Sequence, residues 1–344
     1  MNVKTVGVDL AKNIFQIHAV DAQGKVVLKK KVTRDRLLTS LANVGPALVG
    51  MEACAGAHYW AKEIEKLGHT VRIMNPTFVA PYIKNQKNDA NDAEGICEAV
   101  SRPNMRFVPV KSFEQQDMQG LHRVREQLIK QRTAMANQIR GLLGEYGYVI
   151  PKGIRYVDKR LSDILADPAC RLTETGHWMF SDLLQRLREG QEHIQSIEAK
   201  IREAFVANDS CQVLDAVKGI GVLIATAVVS AIGNAKEFKN GRQFAAWLGL
   251  VPKQNSSGGK TRLQGITKQG NNYLRRLFVH GARSTLYWAK EGKTPLSQWL
   301  IELERRVGTN RAVVALANKN ARIAWALLAK GEKFDPEKAY GFGK

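Results

Sequence analysis

The chain has 344 residues, 44% hydrophobic and 24% charged, a composition ordinary for a folded globular protein and a length sufficient for two or three cores. Lys and Arg number 52 against 32 Asp and Glu, a net charge of +20, which points to a polyanionic partner: nucleic acid first, an anionic membrane surface second. The four cysteines (Cys54, Cys97, Cys170, Cys211) lack metal-knuckle spacing, no His-Glu-x-x-His cluster occurs, and no apolar run is long enough to span a bilayer, so a disulfide framework, a zinc protease and a membrane protein are set aside and a cytoplasmic location is expected.

Residues 3–8 read as a strand that ends in Asp9. Two further strands, 15–20 and 25–32, flank the turn Asp21-Ala-Gln-Gly24 and form a meander with the first. Helical spacing over 34–41 leads into a short apolar strand, 47–51, which ends at Glu52. An amphipathic helix over 59–67 closes at Gly68, and a strand over 71–74 stops at Asn75-Pro76. A polar, lysine-rich stretch over 84–91 precedes a helix over 93–100 and an edge segment at 107–110. Antiparallel strands followed by strand–helix repeats predict an α/β domain with a mixed sheet, assigned to residues 1–111.

From 112 to about 144 apolar residues recur at helical spacing among Arg, Gln and Lys, which predicts one long helix. A second long amphipathic helix covers 178–206, with a short one at 161–166 between them. Residues 112–207 are therefore read as a coiled-coil arm that dimerises; the plain alternative is a helical subdomain within one chain. The third unit, 208–344, is predicted to be all-α, with helices near 213–217, 222–232, 244–248, 273–287 and 311–329 and a polar loop at 253–260. The segment 251–344 holds 18 Lys and Arg against 6 Asp and Glu, more than half of the charge imbalance.

Three constellations carry chemistry. Asp9 and Glu52 each close a predicted strand, and Asp89 and Asp92 lie three apart at a helix start, so they share a face. Such a set of hard oxygen donors suits Mg²⁺, with Mn²⁺ as an alternative, and can serve phosphodiester chemistry. Taken singly, each acid is also explained as a strand end or as a carboxylate in a helix's first turn. Gly219-Ile-Gly221, between two short helices, has the look of a helix-hairpin-helix turn that offers backbone N–H groups to a phosphate; an ordinary turn between helices is the alternative. In the stretch Asn255-Ser-Ser257-Gly-Gly-Lys260-Thr-Arg262, a serine beside Lys260, Arg262 and Lys268 is a candidate nucleophile among phosphate-binding cations. By composition alone it is a flexible polar loop.

In this order the motifs resemble a known family. Gly7-Val-Asp9-Leu-Ala-Lys12, Met51-Glu52-Ala and Lys87-Asn-Asp89-Ala-Asn-Asp92-Ala resemble the Asp-Glu-Asp-Asp (DEDD) transposases of bacterial insertion sequences, the IS one-ten family, whose first domain is similar to the RuvC junction resolvase. Phe244-Ala-Ala-Trp-Leu-Gly249-Leu-Val-Pro252, the serine stretch and Ile266-Thr-Lys268-Gln-Gly270-Asn271-Asn-Tyr-Leu274-Arg275 resemble that family's transposase domain. The resemblance implies an RNase H-like (RuvC-like) domain, a coiled-coil arm and a helical transposase domain. It implies recombination of donor and target DNA guided by a structured non-coding bridge RNA, and an Mg²⁺ site in the acid cluster. It also implies a covalent 5′-phosphoserine link, a site completed between subunits, and a dimer or dimer of dimers. Alignment on the Gly-Leu-Val-Pro segment puts the nucleophile on Ser257, with Ser256 one residue away. Lys260, Arg262, Lys268 and Arg275, with Gly219 and Gly221, are the candidate nucleic-acid contacts.

Three other readings remain beside this one. A metal-dependent junction nuclease would use water as nucleophile and leave Ser257 structural. A nucleic-acid-binding protein whose chemistry has decayed would keep the fold alone. A sugar-kinase-like fold shares an N-terminal Gly-Val-Asp, but the basic C-terminal quarter argues against it.

Overall fold

A computed structural model of the protein describes residues 2–84 and 88–340. The chain divides into two compact units, Met1–Ser112 and Phe113–Lys344.

The first unit is a six-stranded sheet with helices. Its strands are β1 (Thr5–Asp9), β2 (Ile14–Val20), β3 (Val26–Thr33), β4 (Leu48–Glu52), β5 (Thr70–Met74) and β6 (Phe107–Val108), in the order β3-β2-β1-β4-β5-β6. The meander β1–β2–β3 is antiparallel, β4 and β5 add in parallel to β1, and β6 closes the edge antiparallel. Helices α1 (Leu37–Ala42), α2 (Ala57–Glu65), α3 (Pro76–Val79) and α4 (Asp89–Val100) complete the unit. Strand residues alternate between faces. Val6, Val8, Phe15 and Ile17 are buried in one core with Leu37, Leu41, Trp60 and Ile64, each fully buried aliphatic side chain contributing about 1.5–3 kcal/mol.

The opposite face of β1 and β4 is nearly bare, because Gly7 and Gly50 sit side by side there in register. Helix α4 lies across β1, β2 and β4 on this strip. A Cβ built on Gly7 would stand 2.2 Å from the Ala93 carbonyl oxygen and 2.5 Å from the Cys97 nitrogen; one on Gly50 would meet the Val100 side chain at 2.7 Å. Only glycine lets the helix backbone come this close.

The second unit is mostly helical. Helices α5 (Phe113–Glu145) and α7 (Glu174–Val206), 33 residues each and about 50 Å long, run antiparallel: Arg125 pairs with Glu198 and Arg132 with Gln191. Helix α6 (Ile154–Ala166) packs on both, and the three share a core built on Leu143, Val157, Leu161 and Phe180. The remainder is α8 (Asp209–Asp215), α9 (Val222–Ile232), α10 (Gly241–Trp247), α11 (Asn272–Ala289), α12 (Pro295–Val307), α13 (Thr309–Lys330) and α14 (Pro336–Tyr340), with a two-stranded ribbon, β7 (Pro252–Ser257) and β8 (Lys260–Ile266). The expected all-α unit is corrected at the ribbon, and the expected polar loop at 253–260 is a hairpin. Gly258 and Gly259 both take positive φ (+55° and +74°) and form its two-residue turn, and Ser257 and Lys260 pair across it.

A buried polar knot ties α5 to the other helices of this unit. His122 Nε2 lies 3.0 Å from Thr226 Oγ1 on α9, and Nδ1 lies 2.9 Å from the Tyr273 hydroxyl on α11. Thr226 donates to the Val222 carbonyl, so its oxygen must accept from His122 Nε2–H, and Nδ1 accepts from Tyr273. The neutral ring fits this network, and burial pushes the His122 pKa down to about 4.

Gly7→Ala is expected to cost about 1–3 kcal/mol or more in denaturant unfolding, because the clash is with backbone. Gly120→Ala, where no heavy atom lies within 4 Å of the added Cβ in mid-helix, is expected to be neutral or stabilising. His122 gives a pH dependence. Its folded-state pKa lies below the ordinary 6.5, so its contribution is fully present above pH 6.5 and is lost as pH falls towards 4. Wild type should lose on the order of 3 kcal/mol more than His122→Phe across that window, measured by urea titration at stepped pH.

Candidate active site

Asp9 ends β1 on the same face as Gly7, and Glu52 ends β4 on the same face as Gly50. The register that pairs Val8 with Met51 places Asp9 and Glu52 side by side at its next step. Helix α4 begins on the same face. Its cap is Asn88, whose side-chain oxygen accepts from the Ala90 and Asn91 N–H groups. Asp89 and Asp92 therefore stand in the first turn without serving as the cap, in the positive end of the helix dipole.

The outcome is a cluster. Asp9, Asp89 and Asp92 each present a carboxylate oxygen within 4.8 Å of the others, with Asp89 exposed and the other two half-buried. One oxygen of Asp92, Oδ1, is buried and has no hydrogen-bond partner. Three converging hard oxygen donors, one of them unsatisfied, fit a divalent cation of the Mg²⁺ or Mn²⁺ class. Glu52 stands outside the trio but close by: Asp9 and Glu52 both add to the burial that raises the Cys54 thiol pKa. Lys87, which opens the third motif, lies outside the described residues.

In the second unit, hairpin register separates the two serines. Ser257 pairs with Lys260 and Asn255 with Arg262, so Ser257 shares a ribbon face with both cations. Ser256 pairs with Thr261 on the other face, where its hydroxyl accepts from Gln254 Nε2 at 2.8 Å. Every residue from Pro252 to Gly265 is exposed. Lys268 is exposed too, with φ +56°, the one positive-φ residue other than glycine among those described.

Arg275 is placed differently from the expectation that it contacts nucleic acid. It is only 9% exposed, and its guanidinium donates to the Leu248 and Gln269 carbonyls (both 3.0 Å) and to Asn272 Oδ1 (2.8 Å). It clasps the two chain segments at the ribbon's root. Gly249 and Gly270 serve the same clasp: their added Cβ atoms would lie 2.1 Å from the Gln269 oxygen and 1.9 Å from the Trp247 oxygen. The hairpin turn before α9 also divides. Gly219, φ +91°, packs against α11, where its Cβ would stand 2.6 Å from Thr285 Oγ1. Gly221 faces open space.

Two family models cover both halves. That of the DEDD transposases of IS110 elements matches residues 6–148, and that described as the transposase IS116/IS110/IS902 family matches residues 211–296. A probable family 20 transposase of Pseudomonas aeruginosa is 46% identical, over 98% of this chain and 100% of its own length. The transposase for insertion sequence element IS1111A of Coxiella burnetii is 42% identical over 97% of this chain and 92% of its own, and that for IS1328 of Yersinia enterocolitica 39% over 97% and 99%. The chain belongs to the IS116/IS110/IS902 transposase family.

It is an enzyme of DNA transposition, which cleaves and rejoins DNA. No helix among the described residues of this transposase is long and apolar enough to cross a membrane. Three features of the transposase escape sequence reading: the Gly7–Gly50 strip, the Asn88 cap and the inward use of Arg275. Glycines at the same position of two neighbouring parallel strands were a signal for the first, and an Asn immediately before an acid-rich helix start for the second.

Crowding three carboxylates predicts a metal-dependent stability. Asp92→Asn should unfold at the same or a higher temperature than wild type without divalent cation, because it removes one repelling charge. It should lose most of the upward shift that Mn²⁺ gives wild type. Thermal denaturation with and without Mn²⁺ checks both.

Proposed function

We propose that the transposase is a metal-dependent serine recombinase directed by RNA. Its first unit is read as an RNase H-like (RuvC-like) domain, on the support of the order β3-β2-β1-β4-β5 with β2 antiparallel to β1. Asp9, Asp89 and Asp92 would hold Mg²⁺, with Glu52 beside them. When bound there, the cation supplies Lewis-acid stabilisation of charge on phosphate oxygens.

The observation that carries the serine reading is the pairing of Ser257 with Lys260 at the ribbon tip, Arg262 being on the same face. In the proposed step Ser257 Oγ attacks phosphorus, the Oγ–P bond forms, and the P–O3′ bond breaks. The serine proton ends on the leaving 3′ oxygen. Lys260 and Arg262 hold the non-bridging oxygens, whose charge grows in the pentacovalent state. Rejoining reverses the exchange: a 3′-hydroxyl of another strand attacks, and the serine leaves. One phosphodiester replaces another, so no external energy source is needed.

Sequence choice is assigned to pairing between a structured bridge RNA and both donor and target DNA. The exposed cations, Lys268 among them, hold backbones without reading bases. Gly221, at the open side of its turn, is a backbone-contact candidate. The segment 112–207 is proposed as the dimerising arm, with a dimer of dimers joining two DNAs. Its support is apolar surface left uncovered within the chain: Val124, Val149 and Trp178 are 50%, 84% and 70% exposed.

The test is recombination of donor and target DNA with the element's RNA. Wild type should give a protein–DNA adduct resistant to denaturation. Ser257→Ala should give none and lose recombination by at least about a thousandfold, as expected for loss of a nucleophile, while Ser256→Ala should retain both. Free cut ends with no adduct would instead make the protein a metal-dependent nuclease.

A further inference from the structure

Beside the turn that precedes α9, an open cleft of about 780 Å³ is set into the second unit. That volume lies in the range of sites that hold small ligands, about 300–1,000 Å³. Its lining combines two chemistries. Arg202 and Lys218, both exposed, line it together with Gly221. Trp288 of α11 lines it too, 63% exposed, with Tyr287 edge-on to it at 5.3 Å and 68% exposed. The rest of the wall mixes aliphatic carbon with hydroxyls, those of Ser284 and Thr285 among them. No carboxylate is among the described residues that line it.

The cleft is built rather than accidental. The Lys218 carbonyl accepts from Asn320 Nδ2 at 2.9 Å, and Asn320, 1% exposed, accepts in turn from the Tyr340 hydroxyl at 3.0 Å. The turn also sits hard against α11, since a Cβ on Gly281 would lie 2.0 Å from the Gly219 oxygen. The turn that carries Lys218 is therefore fixed to the helix that carries the indole.

Two adjacent exposed aromatic side chains make an apolar patch of the kind that marks ligand-binding grooves. Cations, an exposed indole and hydroxyls in one cleft match the parts of a nucleotide: phosphate, base and sugar. A duplex offers no free base face to an indole, whereas an unpaired nucleotide does. Cleavage and rejoining of DNA, the activity of this family, frees strand ends and so supplies one. We propose that this cleft receives an unpaired nucleotide of a DNA strand, its base on Trp288 and its phosphate between Arg202, Lys218 and the backbone at Gly221. The site is independent of the serine and metal chemistry proposed above.

Equilibrium binding of a short fluorescent oligothymidylate to the full chain tests this, beside an abasic chain of the same length and an oligouridylate. All variants are made in a Ser257→Ala background, so that strand cleavage plays no part. Trp288→Ala is expected to weaken oligothymidylate about 5- to 100-fold, the usual range for one base–aromatic stack, and to leave the abasic chain unchanged. Trp288→Phe should keep most of the affinity, which separates stacking from misfolding. Arg202→Gln with Lys218→Gln should weaken both DNA probes and flatten the salt dependence. Equal effects of Trp288→Ala on base-bearing and abasic chains, or none on either, would overturn the proposal. A Trp288-dependent preference for oligouridylate would overturn its assignment to DNA.

Discussion

The first unit depends on a contact between backbones. Helix α4 can lie on β1 and β4 only because Gly7 and Gly50 leave their face without side chains. This contact sets the height and lengthwise position of the helix, and hence where its first turn ends up. Asp89 and Asp92 reach Asp9 as a consequence. The helix dipole favours a carboxylate in that turn by about 0.3–1 kcal/mol. The converging carboxylates of Asp9, Asp89 and Asp92, with the buried, unpartnered Oδ1 of Asp92, are what the proposed metal reading rests on.

The ribbon of the second unit raises the opposite problem. Its residues from Pro252 to Gly265 are all exposed, and an isolated two-stranded hairpin is marginal in water. Its order must come from its turn and its root. The turn is supplied by two glycines at positive φ, the root by Arg275 tying the Leu248 and Gln269 carbonyls together and by the close approaches at Gly249 and Gly270. Because side chains alternate along a strand, a shift of one residue carries a side chain to the other face. That alternation, rather than any alignment, distinguishes Ser257 from Ser256 here: only the former looks out beside Lys260 and Arg262.

Much of this was legible in the residues. Alternation and helical spacing place β1 to β5 and the two long helices to within a few residues, because each buries a face whose pattern is written in apolar side chains. The ordered acids at strand ends and at a helix start were legible for the same reason, since their elements were. The ribbon could not be read because it has no apolar pattern. The ribbon is polar on both faces, so its strands resemble a loop, although Gly258-Gly259 is a hairpin signal. Helix α12 went unread despite Thr294 capping Ser297 at its start. The cap of α4, Asn88, went unread beside the two acids of its first turn. Arg275 looked like a phosphate ligand because charge at a motif's end invites that reading, and burial alone reveals that its partners are carbonyl oxygens. Close backbone approach is likewise invisible in one chain: a glycine shows that space is needed, not what fills it.

A transposase must end its reaction with strands joined, and that bears on why both a carboxylate cluster and a serine should belong to the proposed mechanism. Acid-held cations suffice to cut a phosphodiester with water, but the bond so hydrolysed is spent, and resealing the same two ends would need an energy source. A nucleophile that belongs to the protein keeps the bond as a phosphoserine ester until another 3′-hydroxyl takes it. Such a nucleophile must be exposed to DNA while its backbone stays ordered, for a loosely held serine loses the orientation on which the exchange depends. A polar ribbon, clasped at its root and turned sharply at its tip, meets both requirements at once. The exposure of its residues is what the proposed chemistry would require.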